Sequence, residues 1–193
     1  MTMESFANSH SDSMVANGTI NREARPNVWI ACTVKIKTEM KCAKRLESLG
    51  YKTFVPVRSE VRQWSDRKKT KNTILIPMVI FVQLPQSEII RLIKLEFVHS
   101  IIKYPGSKNP AIIPDAEIEQ FIFLLENSDQ NLLIEPFSPI KGQMIEIVRG
   151  NLKGLTGQIT QTSQKGCRVT IAIQYLTRAS VSVNISDCRE IKN

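Results

Sequence analysis

Apolar runs and helical periodicities alternate over the first two thirds of the chain. Residues 28–34 (VWIACTV) are apolar and rich in β-forming residues, which predicts a buried strand. Over residues 38–49 apolar side chains recur at helical spacing, and Thr38 and Gly50 are suitable as the N-cap and the C′ residue of a helix. Residues 51–57 predict a second strand.

A polar and strongly basic segment follows at residues 58–73. Only Glu60 and Asp66 oppose its cations, and Trp64 lies among them. This pattern is typical of a β-hairpin whose tip carries the charge. Residues 74–84 then form an apolar run, which predicts a strand buried on both faces. The cations of the hairpin are Arg58, Arg62, Arg67, Lys68, Lys69 and Lys71.

The next segments predict two helices on either side of a further strand. Residues 87–94 place apolar side chains on one helical face, and residues 98–104 (VHSIIKY) are typical of a strand. After a loop at residues 105–110, Asp115 is suitable as the cap of a helix with an acidic first turn, where the helix dipole favours negative charge. The order β-α-β-β-α-β-α predicts an α+β sandwich, in which helices pack on an antiparallel sheet. The apolar positions of the last helix are Ile118, Phe121, Ile122 and Leu125.

The character of the chain changes after residue 127. Residues 127–141 are rich in Asn, Ser, Asp and Pro, which is typical of a linker. Helical periodicity is absent beyond residue 140, and the short apolar segments there predict a small all-β barrel that is partly closed. The strand candidates are residues 144–148, 157–163, 167–175 and 179–185. We therefore predict a disordered leader (1–25), an α+β domain (26–126), a linker (127–141) and a β-barrel domain (142–193).

The composition favours an anionic partner. The chain has 193 residues, a formal net charge of +8 and an isoelectric point near 9.5. The most apolar stretch, residues 74–84, contains Pro77 and is far shorter than the roughly 20 residues that a membrane span needs. The first 25 residues lack the continuous apolar core of a secretory signal. We therefore expect a cytoplasmic protein without a membrane partner.

The distribution of reactive residues predicts neither a metal site nor an enzyme. The four cysteines form no C-x-x-C pair, and the chain has only two histidines, so zinc ligands at close spacing are lacking. The cysteines are better interpreted as small buried thiols in a reducing compartment. The sequence contains no P-loop and no recognisable catalytic motif. We expect no cofactor and no catalytic residues.

A glycine-rich run at residues 142–159 has a clear conformational logic. Gly150, Gly154 and Gly157 are spaced by four and three residues, where glycine permits backbone angles that are closed to other residues. Arg149 and Lys153 add two cations to this loop. The glycines shape a corner of the barrel whatever its function. The run resembles a KOW motif, which occurs in NusG-type transcription factors and in some ribosomal proteins. The matching positions are Gly142, Ile145, Gly150, Lys153, Gly154, Gly157 and Ile159.

The upstream segments resemble the N-terminal domain of the NusG family of transcription elongation and antitermination factors. Trp29 opens the first strand, as an aromatic residue does in that family, and residues 75–82 (LIPMVIFV) resemble its L-F-P-G-Y-V-F-V strand. Residues 98–106 and 111–118 resemble its next strand, loop and helix start. The resemblance extends from about residue 27 to residue 191 in the family's order. It is stronger evidence than the KOW motif alone because two domains are matched.

The resemblance implies contacts with RNA polymerase. NusG-like N-terminal domains bind the clamp helices of the largest polymerase subunit, and by position the contacts fall on Trp29, Thr33, Ile76, Val79 and Phe81. Neighbouring strand residues face opposite ways, so only one set meets the partner, and some of these positions are open to interpretation as plain core.

The resemblance also places nucleic acid beside the basic hairpin. Its residues would contact non-template DNA or nascent RNA, with Trp64 available for base stacking, although a solvated hairpin tip accounts for the same charges. The barrel would bind RNA, a ribosomal protein or the termination factor Rho. The implied nucleic-acid contacts are Arg62, Trp64, Arg67, Lys68, Lys69 and Lys71.

Three departures from the family pattern point to a specialised member. Ile76 replaces an aromatic residue, Met78 replaces glycine or asparagine, and Val79 replaces tyrosine. These changes resemble paralogs that accompany single operons, notably the capsular-polysaccharide antiterminators of Bacteroidetes. A ribosome-associated KOW protein that binds RNA is the alternative, but it leaves the upstream domain unexplained.

Overall fold

The computed structural model describes residues 26–63, 68–128, 132–137, 142–163 and 166–191, and of residues 60–63 and 68–71 it describes the backbone alone. The predicted leader, residues 1–25, lies outside this range. The elements up to residue 128 are β1 (Asn27–Thr33), α1 (Glu39–Ser48), β2 (Lys52–Phe54), β3 (Val57–Gln63), β4 (Lys68–Ile74), β5 (Val79–Pro85), α2 (Ile89–Ile93), β6 (Ser100–Ile101) and α3 (Asp115–Asn127).

The N-terminal part is an α+β sandwich, as predicted. Its antiparallel sheet has the order β2-β5-β1-β6. On one face, residues such as Ile30 and Ile80 pack against α1 and α2. On the other face, residues such as Ala31 and Phe81 pack against α3. The apolar strands β1 and β5 are covered on both faces, which explains why their sequences are continuous apolar runs rather than alternating ones.

The predicted strand at residues 74–84 is wrong in one respect, because a turn divides it. β4 ends at Ile74, residues 75–78 form the turn, and β5 begins at Val79. Pro77 has no N–H group to donate to a ladder, and Met78 has a φ of +66°, in the left-handed region. This φ also explains why the family pattern leads one to expect glycine or asparagine at position 78.

Three further boundaries differ from the prediction. The strand predicted at residues 98–104 shrinks to Ser100–Ile101, although His99 N–H and Ile102 N–H still donate to the carbonyl groups of β1. The strand predicted at 51–57 is limited to β2, because the chain leaves the sheet at Val55 and enters the separate hairpin of β3 and β4 at Val57. Asp115 is the first helical residue of α3 rather than its cap, since Pro114 occupies the N-cap position.

The C-terminal part is an all-β sheet with the order β12-β8-β9-β10-β11-β7. The Sγ atoms of Cys167 on β10 and Cys188 on β12 lie 3.6 Å apart, although two strands separate them in the sheet. The sheet therefore curls around its core like a partly closed barrel. Its strands are β7 (Leu133–Pro136), β8 (Met144–Ile147), β9 (Thr156–Ser163), β10 (Gly166–Ile173), β11 (Thr177–Val183) and β12 (Cys188–Glu190).

Two edge strands of this sheet were not predicted. β7 lies within residues 127–141, the segment that we predicted to be a linker, and it pairs with β11. β12 is a three-residue strand with the polar sequence CRE that pairs with β8. Neither has the length or alternation that marks a strand in a sequence, so both depend on the neighbour that receives their hydrogen bonds.

The glycines of the 142–159 run have two separate roles. Gly150 and Gly154 have φ values of +78° and +92°, and they form the turn between β8 and β9. Gly157 has no such φ, but an added Cβ would lie 2.8 Å from Val169 Cγ1 and 2.9 Å from the Thr170 carbonyl oxygen. The spacing of these residues therefore encodes a turn followed by a close approach of two strands.

Helix α3 contacts both parts of the chain. Phe121 packs on Phe81 beneath the helix, with 6.0 Å between the ring centroids. On its other side, Gln120 Nε2 donates a hydrogen bond to Thr156 Oγ1 (2.8 Å), and Glu117 Oε2 accepts one from Gln174 N–H (3.2 Å). The helix is apolar over much of its circumference, and such a helix requires cover on more than one side.

Candidate functional site

The residues that the resemblance implies for polymerase contact lie on one face of the N-terminal sheet. In the register of β1 and β5, Thr33 lies opposite Val79 and Ala31 lies opposite Phe81. Trp29, Thr33, Val79 and Phe81 therefore point to the same side, the side of α3. Ile76 packs against this cluster from the turn before β5. The structure thus shows which of the alternating strand residues lie on the α3 side, a point that the sequence left open.

Burial divides these residues into two groups. Phe81 is 0% exposed and lies between Phe54 and Phe121, with ring centroids 6.0 Å away in each case. Trp29 and Val79 are also buried, whereas Thr33 and Ile76 are half-buried. Phe81 and Trp29 are therefore core residues that lie beneath the surface formed by Thr33 and Ile76. Thr33 and Ile76 lie where another molecule can reach them.

Two residues of this surface were missed by the analysis of the sequence. Phe54 on β2 lies directly opposite Phe81 and is only partly buried. Its strand was predicted, but the pairing of that strand with β5 was not, so its face could not be assigned. Met78 was noted only as a departure from the family pattern. Its side chain is exposed beside Ile76 and Val79.

Hydrogen bonds fix the end of the sheet that carries this surface. Glu39, in the first turn of α1, is buried, and its Oε1 accepts a hydrogen bond from Met78 N–H at 2.8 Å. Val34 N–H donates to the Met78 carbonyl oxygen at 2.9 Å. Thr33 Oγ1 and Ser100 Oγ are 2.8 Å apart. The turn at residues 75–78, α1 and β1 are therefore held together as one unit.

The basic hairpin is a two-stranded ribbon formed by β3 and β4. Its register places Arg62 opposite Lys69, Gln63 opposite Lys68 and Glu60 opposite Lys71. The backbone therefore brings four of the six predicted nucleic-acid residues onto one ribbon. The other two, Trp64 and Arg67, lie outside the described residues.

The loop of the KOW-like run borders a groove of about 1030 Å³ at one end of the C-terminal sheet. Arg149 and Gly150 from the loop, together with Arg168 from β10, line this groove. Lys153 is exposed on the same loop, but it does not line the groove. Ile145 is buried in the sheet and Ile159 is partly buried, so these two motif residues are structural. Gly142 lies against Ile159, where a Cβ would clash with the carbonyl oxygen.

Three titratable groups in the described ranges have pKa values that are raised, which favours their protonated forms. Burial raises the pKa of Cys32 to about 12. Burial, and then the hydrogen bond with Cys167, raise the pKa of Cys188 to about 12. Burial and a hydrogen bond donated to Glu88 also raise the pKa of Tyr51. Such thiols are weak nucleophiles at neutral pH.

Among the described residues, no group of three or more His, Cys, Asp and Glu side chains could hold a metal ion. Of the helices in the described ranges, none is long and apolar enough to cross a membrane.

Comparisons with known proteins address the family directly. Residues 27–122 match the family model described as "Transcription termination factor nusG". Among solved structures, the chain is similar to "Domain interaction in Thermotoga maritima NusG", with 18% identity, coverage of 86% of this chain and 98% of that chain, and a TM-score of 0.44. It is also similar to "Crystal Structure of MjSpt4:Spt5 complex conformation B", with 16% identity, coverage of 86% and 97%, and a TM-score of 0.24. Among curated proteins, none matches the chain. Residues 27–122 are therefore a NusG family domain.

Proposed function

We propose that this protein regulates transcription elongation and antitermination by binding RNA polymerase through the end of its N-terminal sheet where Thr33 and Ile76 are half-buried. The observation that carries the proposal is the NusG family domain at residues 27–122. The geometry supports it, because the residues implied by the resemblance share one face and its half-buried members, Thr33 and Ile76, are accessible. The partner would be the clamp helices of the largest polymerase subunit.

The mechanism requires preferential binding to one state of the polymerase. A factor that binds the closed, elongating clamp better than the open or paused one shifts the population toward elongation. A difference of about 1.4 kcal/mol in binding free energy shifts this equilibrium tenfold. A small apolar surface is therefore sufficient, and no catalytic group is needed. The protein would act in the cytoplasm as a factor rather than as an enzyme.

The departures at Ile76, Met78 and Val79 favour a specialised factor that serves particular operons, such as those for capsular polysaccharide. Ile76 and Met78 lie on the surface proposed to bind polymerase, whereas Val79 is buried behind it. A ribosome-associated RNA-binding protein is less favoured. It would use the C-terminal sheet and would leave the NusG family domain without a role.

Polymerase retention tests the central proposal. The immobilised protein is expected to retain core RNA polymerase, and Ile76→Asp is expected to reduce this retention at least tenfold, because a carboxylate would have to be desolvated at the contact. Ile90→Asp is the matched control, since Ile90 is 67% exposed on α2, which packs on the opposite face of the sheet. The protein and both variants are then compared in transcription through a terminator. If the unaltered protein fails to retain polymerase, the proposal is wrong.

The hairpin formed by β3 and β4 is proposed to bind single-stranded nucleic acid near the polymerase. Opposed cationic residues such as Arg62 and Lys69 do not stabilise a two-stranded ribbon by themselves, which favours an anionic partner. The groove beside Arg149 and Arg168 offers a second basic surface, through which the C-terminal sheet would bind RNA, a ribosomal protein or Rho.

A salt titration checks the role of the hairpin. Replacing Lys68, Lys69 and Lys71 together with Gln is expected to weaken binding to a single-stranded oligonucleotide. The slope of log K against log salt concentration should fall by about 2, since each lost phosphate contact accounts for about 0.7. The control replaces Lys41, Lys44 and Lys94 with Gln, which removes the same charge from other elements. Equal effects of the two triple variants would show that only net charge matters.

A further inference from the structure

Met78 has a backbone conformation that its side chain disfavours. Its φ of +66° lies in the left-handed region, where a Cβ comes too close to the following carbonyl oxygen. Glycine would form the same turn without this strain. In the described part of the chain only two other non-glycine residues, Lys37 and Tyr175, share such a φ. Strain of this kind persists only where the surrounding structure over-determines it.

Glu39 is one of two groups that hold the backbone of Met78 in this conformation. It is 1% exposed, and its Oε1 accepts the hydrogen bond from Met78 N–H at 2.8 Å. Val34 N–H donates a hydrogen bond to the Met78 carbonyl oxygen at 2.9 Å, so both the N–H and the carbonyl group of Met78 are hydrogen-bonded. The second carboxylate oxygen of Glu39, Oε2, is buried and has no hydrogen-bond partner among the described residues. The turn therefore combines two unfavourable features, a strained methionine and an incompletely satisfied buried carboxylate.

The strained turn leaves the side chain of Met78 exposed. Met78 is 40% exposed, and Ile36 and Met40, on the segment that Val34 and Glu39 tie to the turn, are 53% and 45% exposed. Three large apolar side chains thus lie on segments that these hydrogen bonds join at the end of the sheet. Methionine is flexible and polarizable, so it adapts to an apolar partner surface.

We propose that Met78 is a specificity-determining contact on the polymerase-binding surface and that Glu39 is the positioning residue that holds it there. The occupant of this surface is the polymerase, so the inference rests on the function proposed above. It extends the contact from Thr33 and Ile76 to Met78, which lies in the same turn as Ile76. A glycine at position 78 would preserve the turn and remove the contact.

The test separates stability from binding at a single position. Met78→Gly is expected to melt at the same temperature as the unaltered protein or higher, because the left-handed strain is relieved. Its affinity for core RNA polymerase should fall about tenfold, because an apolar contact is lost. Met78→Ala should lose affinity to the same extent but melt below Met78→Gly, since it keeps the Cβ. Ile90→Ala, which shortens an exposed side chain on α2, should leave the affinity unchanged.

A double-mutant cycle tests the positioning role of Glu39. Glu39→Ala is expected to reduce polymerase affinity when methionine is at position 78, and to cause little further loss in the Met78→Gly background. A purely structural role would reduce the affinity equally in both backgrounds. If the unaltered protein binds polymerase and Met78→Gly binds equally well, this inference is overturned while the proposed function stands. If the unaltered protein does not bind polymerase at all, the proposed function itself fails.

Discussion

Replacing Phe81 with alanine is expected to destabilise the N-terminal sandwich by about 3–5 kcal/mol, which is close to the entire stability of a small domain. The Phe81 ring is fully buried and lies between Phe54 of β2 and Phe121 of α3. Its loss would leave a cavity between the sheet and the helix. The paired strands β1 and β5 cannot move far enough to fill that cavity. Urea denaturation followed by far-UV circular dichroism measures the change in the free energy of unfolding.

Phe54→Ala is the matched control for Phe81→Ala. Phe54 contacts the same ring but is only partly buried, so its replacement should have a clearly smaller effect. A change below about 1 kcal/mol for Phe81→Ala would contradict the packing described here. The result also decides how polymerase-binding data are to be interpreted. A loss of binding by Phe81→Ala reports unfolding, whereas a loss by Ile76→Asp or Met78→Gly reports the surface itself.

Replacing Gly157 with valine is expected to destabilise the C-terminal sheet by about 3 kcal/mol or more. A Cβ at this position would lie 2.8 Å from Val169 Cγ1 and 2.9 Å from the Thr170 carbonyl oxygen, and 3.2 Å from Ile171 Cγ2. One of these neighbours is backbone in the adjacent strand β10, so relief requires separating β9 from β10. Hydrogen exchange of the β9 and β10 amides should report a loss of protection that does not extend to β1 and β5.

The control for Gly157→Val is Gly150, a glycine of the same run that is constrained by its backbone φ and not by close neighbours. Gly150 has a φ of +78°, and nothing lies within 4 Å of an added Cβ. Asparagine tolerates this region, so Gly150→Asn is expected to change the free energy of unfolding by less than about 1 kcal/mol. Equal destabilisation by the two variants would mean that conformational freedom, rather than the close approach of two strands, explains Gly157.

Much of the fold could be predicted from local patterns. The apolar strand at residues 28–34, the helix at residues 38–49 and the helix after Asp115 were predicted to within a few residues, because each has a period or an end signal in its own sequence. The basic hairpin was predicted in the same way. The α+β class followed from the order of these elements, and the structure confirms it.

The candidate site was less predictable, because faces and pairings are not local. The position of Trp29, Thr33, Val79 and Phe81 on one side follows from the register of β1 and β5, which are separated by about 50 residues of chain. The burial of Phe81 depends on Phe121 of a distant helix. The interruption of the apolar run at Met78 depends on Glu39, whose carboxylate stabilises the turn.

The sequence by itself determined most of the succession of helices and strands in the N-terminal part, the excess of positive charge on the hairpin and the turn-forming glycines after β8. These properties arise from side-chain period, charge and backbone freedom over a few neighbouring residues. Only the tertiary structure decided which face of the sheet is covered, that β7 joins the C-terminal sheet through β11, and which apolar residues remain exposed around Met78. Burial and strand pairing depend on partners that are distant in the chain, and no local pattern records them.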